Sequence, residues 1–385
     1  MTQLQLGQAL GMSQSAVSRL EKRGTGAYGT DVLAAAAAHL EIPPGLFGFS
    51  GSRPPTKGKE DDVNRRSFLE GAAAVAAAPV LSVLPAAADP MGEQAAALRL
   101  STSAYRRLDG TTPSRDLSEA VHAHMRLIHS VSQTAGAELR PRLAAVASEA
   151  ASLAGWLAWD MGDHGSARTR YGTAVQTARA AADPLLTAYQ AGSLAQLEAH
   201  ASNGVQALNL VSRARRALGP QLPAVADAWL SCIEALGHAA CRNARAADKA
   251  LTASRAITER LPNQDPPPWP WVFTFTPQKV AACRVTCGAW LGKADWVLGD
   301  DVEALAVVGH TKQRALLVLD IASGHLAAGR VEAAFALADR ALDTGMHYRS
   351  GRIIERARAV RRSVTLASPP KIVRDFDERL HGVYL

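Results

Sequence analysis

Aromatic residues are scarce, 5% of 385, and β-branched residues seldom run together, so neither a strand-rich fold nor a ring-filled core is expected. The four cysteines, Cys232, Cys241, Cys283 and Cys287, sit in apolar helical patterns where a thiol behaves as a small hydrophobe, and no disulfide framework is implied. Cys283 and Cys287 stand at i, i+4, but no second ligand pair lies at zinc spacing, so no metal is expected. His122, His124 and His129 are close in sequence, yet a helix points His124 away from the other two. A Gly-rich phosphate loop, a nucleophile elbow and a His-Glu-x-x-His pair are all missing, which argues against an enzyme and against a cofactor. Pro79 and Pro85 break the longest apolar run, leaving it too short to span a bilayer, and no membrane partner is expected.

What is abundant is alanine, in a chain that is 48% hydrophobic and 20% charged, a globular profile with ample core. Helix is favoured nearly everywhere, and the fold class read from this is all-α. The formal charge of +7 suits a nucleic-acid partner without requiring one.

Ser13 is a good N-cap, and the residues after it follow a helical period. At about 100° per residue, Gln14, Ser15, Ser18 and Arg19 share one arc, and Ala16, Val17 and Leu20 the opposite one. The polar arc carries groups able to hydrogen-bond base edges and phosphates in a major groove. Ahead of it Leu6 and Leu10 pair at i, i+4 on a short helix, with Gly11 and Met12 in the turn. The run TQ-x-x-LG-x-x-LG-x-SQSAVSRLE-x-x-G, continued by TDVLAAAAAHLEIPPGLFGF, resembles the Cro/repressor-type (XRE) helix-turn-helix regulators over about the first 50 residues. The resemblance implies that Thr2 and Gln3 touch the phosphate backbone. It also implies that Gln14, Ser15, Ser18 and Arg19 face the bases of double-stranded DNA. Ser13, Lys22 and Arg23 complete the expected DNA-contacting set. The family's first helix would precede Thr2, and its absence here is expected to cost packing for Leu6, Leu10 and Val17.

Three domains are expected: a helix-turn-helix module over 1–50, a linker with an Ala-rich apolar segment over 51–92, and a helical-repeat domain over 93–385. The linker opens with SGSRPPTKGKEDD, rich in Gly, Pro, Ser and charge. Its second half, Asn64-Arg65-Arg66-Ser67-Phe68-Leu69 followed by an apolar run and Ala86-Ala87-Ala88, looks like a twin-arginine export signal. Such signals open a chain, whereas this one follows a module that works on DNA. We therefore read the segment as linker and expect a cytoplasmic chain. Regulators of the actinobacterial type that this chain resembles carry a similar Arg-Arg-x-Phe-Leu segment.

From Glu93 onward a loose repeat pairs a helix with an Ala-rich helix, and Ala167, Ala207, Ala246 and Ala333 align at spacings near 40. A degenerate unit is expected around Trp290 to Ala306. These units resemble tetratricopeptide helix pairs, with Trp156, Leu197 and Leu326 filling seams and a concave surface open to a partner. Gln264 to Thr276 cannot be helix interior; its rings, Trp269, Trp271, Phe273 and Phe275, read as a plug or a lid. Arg349, Arg352, Arg356, Arg358, Arg361 and Arg362 read as a solvated basic face.

The function read from the sequence is a DNA-binding transcriptional regulator whose repeat domain dimerises and senses a peptide, small molecule or protein. The alternative is a tetratricopeptide adaptor whose helix-turn-helix no longer functions. The architecture resembles Gram-positive peptide-sensing regulators, in which concave-face asparagines hold a peptide backbone. Here only Asn203, Asn209 and Asn243 lie in the repeats.

Overall fold

The computed structural model describes residues 90–220, 222–261, 275–307, 309–365 and 368–383. The helix-turn-helix stretch with Thr2, Gln3, Ser13, Gln14, Ser15, Ser18, Arg19, Lys22 and Arg23, the linker, and the aromatics Trp269, Trp271 and Phe273 lie outside the described residues. Every regular element among the described residues is helical: fourteen α-helices and no strand.

Two lead helices, α1 (Pro90–Leu108) and α2 (Ser114–Thr134), precede six antiparallel pairs. The pairs are α3 (Arg140–Asp160) with α4 (His164–Ala180), α5 (Pro184–His200) with α6 (Gly204–Leu218), and α7 (Ala224–Ala240) with α8 (Ala244–Thr258). They continue as α9 (Pro277–Leu291) with α10 (Ala294–Val307), α11 (Thr311–Ala327) with α12 (Val331–His347), and α13 (Gly351–Arg362) with α14 (Lys371–His381).

One local device ends most of these helices and starts the next. A residue two before the following helix adopts positive φ: Gly162, Ala182, Ser202, Arg242, Gly292, Gly329 and Arg349. At six of these turns the next N–H bonds back five residues, from Asp163 to Ala158, Asn203 to Glu198, Asn243 to His238, Lys293 to Gly288, Arg330 to His325 and Ser350 to Gly345. This is the Schellman arrangement, which satisfies carbonyls the helix end leaves open. The same residue often caps the next helix: Asp163 accepts from the Ser166 N–H at 2.9 Å and Asn243 from that of Ala246 at 3.1 Å.

The small residue that lets four of the pairs close is the fourth of the second helix: Ala167, Ala207, Ala247 and Ala334, all fully buried; Val297 holds that place in the fourth pair. The sequence alignment named Ala246 and Ala333 instead, one position early; Ala246 is half-buried and Ala333 exposed. In an Ala-Ala run the pattern alone cannot choose the register. The first helices of the early pairs bury residues all round, as α3 does from Leu143 to Asp160, because they are covered on two sides. The second helices bury a single stripe, as with Ala207, Leu210, Val211 and Ala214 on α6.

The row of first helices does not stay open. Contacts run α3 to α5, α7, α9, α11 and α13, and α13 returns to α3. The open concave face expected from the repeat is therefore replaced by a closed cycle of six inner helices.

Candidate ligand cavity inside the helical ring

Closure is made by a polar clasp between residues about two hundred apart. Lys312, at the start of α11, donates to Asp109 Oδ1 at 2.7 Å, Ser114 Oγ at 3.0 Å and Asp160 Oδ2 at 3.3 Å. Asp160, which ends α3, also accepts from Ser114 Oγ at 2.6 Å and from Ser350 Oγ at 2.7 Å. Trp156 Nε1 donates to Asp109 Oδ2 at 2.8 Å. Gly351 makes the approach possible: a Cβ there would stand 2.5 Å from the Met161 carbonyl oxygen, closer than real contacts allow.

The inner faces repeat at i, i+3 or i+4, as with Tyr189, Ser193, Gln196 and His200 on α5. From one end, Arg106, Tyr171, Tyr189 and Ser193 line a cavity of about 310 Å³. It shares Trp156, Gln196, Trp229, Phe275, Lys279 and Gln313 with a deeper space of about 300 Å³. His200 is common to that deeper space and to a third, of about 470 Å³, toward Trp290 and Arg356. Gly192 admits the Trp229 indole, since a Cβ at 192 would fall 2.3 Å from the ring. Tyr189 stacks on Trp229 with centroids 5.5 Å apart.

The charges inside are unequal. Asp320 engages both its oxygens, Oδ1 with Arg356 and Oδ2 with Thr286 Oγ1 at 2.7 Å. Asp160 is held in the clasp. Among the described residues no carboxylate lies within ion-pair distance of Arg352, whose guanidinium rests 3.6 Å over the Trp159 ring and 5.1 Å from that of Trp156. Burial is the largest influence on it and lowers its pKa to about 10, against the pull of Asp160. It remains a cation at neutral pH. His200 stands edge-on between Trp159 and Trp290, at 5.1 and 4.8 Å. Burial, helped by Arg352 and Arg356, holds its pKa well below the ordinary value, so the ring is neutral at pH 7. Burial lowers the Lys279 pKa as well.

Several sequence expectations meet this geometry. The arginine-rich helix α13 is not one solvated face: Arg352 and Arg356 turn inward, while Arg361 pairs with Asp377 and Arg362 with Glu355. Ile353, Ile354, Ala357 and Val360 occupy the buried stripe, leaving two other faces for arginines, and which one met the cavity was not visible in the pattern. Trp156 lines the cavity instead of only filling a seam. Asn203 sits in a turn, donating to Glu198 Oε2 at 2.6 Å, Asn243 is a cap, and Asn209 is exposed, so none of the three lines the interior. His124 bonds Thr102 Oγ1 at 2.9 Å inside the lead helices, while His129 is exposed. Cys232 and Cys287 are buried and Cys283 is half-buried, with Cys283 Sγ donating to the Cys232 carbonyl at 3.3 Å; Cys241 is exposed at a helix end, outside the apolar setting expected for it. Of the aromatic loop, Phe275 reaches the cavity wall. No described helix is long and apolar enough to cross a membrane.

No curated protein matches the chain. Among solved structures, the crystal structure of BtubC (BKLC) from P. vanneervenii is similar at 16% identity, covering 74% of this chain and 97% of that one, with a TM-score of 0.38. Residues 62–82 match the family model for the TAT (twin-arginine translocation) pathway signal sequence. That match corrects the reading of this segment as plain linker and the expectation of a cytoplasmic chain. Arg65-Arg66 followed by an apolar run is what that family model describes, and its place after residue 61 does not remove the match.

Proposed function

We propose that residues 90–385 are a tetratricopeptide-like ligand-binding domain and that the ligand held inside its ring governs DNA binding by the stretch Thr2–Gly24. The observation carrying this reading is the closed cycle of inner helices around a lined interior, with Arg352 held there without a carboxylate partner. A structural ring has no need of a half-buried cation in its lining without a carboxylate partner, since even partial desolvation of a charge is costly. Output through double-stranded DNA rests on Gln14, Ser15, Ser18 and Arg19 as base-facing groups and Thr2 and Gln3 as phosphate contacts. A homodimer would set the spacing of two recognition helices about one helical turn apart.

The export match favours a second reading, in which the ring domain works as a ligand-binding module beyond the membrane, separated from the N-terminal stretch. Two measurements decide. Selection of the full chain against random duplexes should yield one preferred sequence whose binding weakens steeply with salt. No selected sequence at low salt, together with a product beginning near Asp89 in the exported fraction, would leave only the second reading. For the ring itself, mass spectrometry of small molecules released from the purified chain should find a stoichiometric compound. Ala282→Phe, which fills the deeper cavity, should lose that compound.

A further inference from the structure

Among the described residues, the ring's interior holds a cation that no carboxylate pairs. The clasp engages Lys312, Asp109 and Asp160 with one another, and Asp320 is taken by Arg356 and Thr286. Arg352 lines the deeper cavity and rests on Trp159 through one face of its guanidinium. Its N–H groups lie in the plane of that group, at its edge, and among the described residues no carboxylate stands within ion-pair distance of them. The wall sets apolar residues, Trp229, Ile233, Phe275 and Leu316, beside polar ones, Gln196, His200, Thr286 and Gln313. Lys279 is also in the wall, and the carboxylate there, Asp320, is neutralised by Arg356.

We propose that the deeper cavity takes a small organic carboxylate, its anionic end on the Arg352 guanidinium and its apolar body against Trp229, Ile233 and Phe275. This rests on the reading of the ring as a ligand-binding domain and names the chemical class of the ligand. A guanidinium edge matches a carboxylate with two parallel hydrogen bonds, and the half-buried setting of Arg352 strengthens them. At about 300 Å³ the space lies at the small end of ligand pockets, and its apolar residues suit a carboxylate carrying a flat or compact hydrocarbon body. A dianionic phosphate presents a third oxygen that one guanidinium edge leaves unmatched.

The test is calorimetry on the purified full chain with three probes: 2-naphthoate, 2-naphthamide and 2-naphthyl phosphate. The acid should bind at least about tenfold tighter than the amide and tighter than the phosphate, as expected where a charged partner is buried. Arg352→Gln should bring the acid down to the level of the amide and leave the amide unchanged, and Arg352→Lys should restore part of the difference. Circular dichroism shows whether Arg352→Gln keeps its helices; if it does not, the ratio of acid to amide on the unaltered chain still decides. Acid and amide binding equally, with Ala282→Phe blocking both, would overturn the carboxylate proposal and leave the ligand-binding reading standing. Tight binding of the acid that Ala282→Phe does not affect would overturn the proposal and count against the cavity as well. If the phosphate binds best, or none of the three binds, the carboxylate class is wrong, and the ligand-binding reading is then judged by the released-compound measurement.

Discussion

Replacing Lys312 with Met should open the clasp at its centre. The Lys312 side chain is only 6% exposed, and its ammonium is the cation that Asp109 and Asp160 share, with side chains exposed by 15% and 4%. Met preserves the length and apolar stem, so the loss is the charge and its hydrogen bonds to Asp109, Ser114 and Asp160. Two carboxylates are left facing one another with only hydroxyl and indole donors from Ser114, Ser350 and Trp156. Stranding a buried charge in this way costs about 3–5 kcal/mol, a large share of a total stability of about 5–15. With an m-value near 3 kcal/mol per molar, the urea midpoint followed by circular dichroism should fall by about 1–2 M. Neutralising the whole cluster in Lys312→Met, Asp109→Asn, Asp160→Asn should recover most of the loss, because an uncharged cluster no longer needs the cation. The clasp also joins pairs that would otherwise stack only on their neighbours, so the single variant should unfold over a broader urea range as the pairs decouple. A cost of Lys312→Met below about 1 kcal/mol, or a triple variant no better than the single one, would refute the clasp as the element that closes the ring.

Ala182 and Ser202 hold positive φ, 53° and 63°, which costs a side-chain-bearing residue about 1–2 kcal/mol; glycine at either site should stabilise by up to about 1 kcal/mol, and a loss in urea melts would contradict the turn geometry. His200 has a folded pKa below its unfolded value, so its contribution to stability is fully present above about pH 6.5 and is lost as pH falls toward the folded pKa. Stability should decline between pH 7 and 5 with a part of the slope missing in His200→Asn; an identical slope in both proteins would show that His200 is not the group. Gly351→Ala would drive a methyl into the Met161 carbonyl and should cost about 1–3 kcal/mol by urea melt, with no change meaning that the α3–α13 approach is looser than described. Arg65→Lys, Arg66→Lys should abolish export of a reporter fused after the chain, and unaltered export would mean that the twin arginines are not what is read.

The local structure was written in the chain itself. Alanine-rich segments with few aromatics and few β-branched runs left helix as the favoured state, and every regular element among the described residues is a helix. Turn chemistry was equally local: Asp163, Asn203, Asn243 and Ser350 stand where a chain reverses and a new helix starts, and Gly162, Gly292 and Gly329 take the positive φ that glycine accepts most easily. Register was less legible, because in Ala246-Ala247 and Ala333-Ala334 two identical residues compete and only packing against the partner helix selects the second. The cavity was not legible. Lys312, Asp109, Asp160 and Ser350 belong to segments up to about two hundred residues apart, and nothing in any one segment marks its partner. Arg352 read as one of six surface arginines because its distinction is the Trp159 face beneath it and the missing carboxylate around it. Helix and turn are decided by neighbours along the chain, through backbone torsions and caps; closure is decided by charges and van der Waals contacts that exist only once six pairs have stacked and the last has met the first.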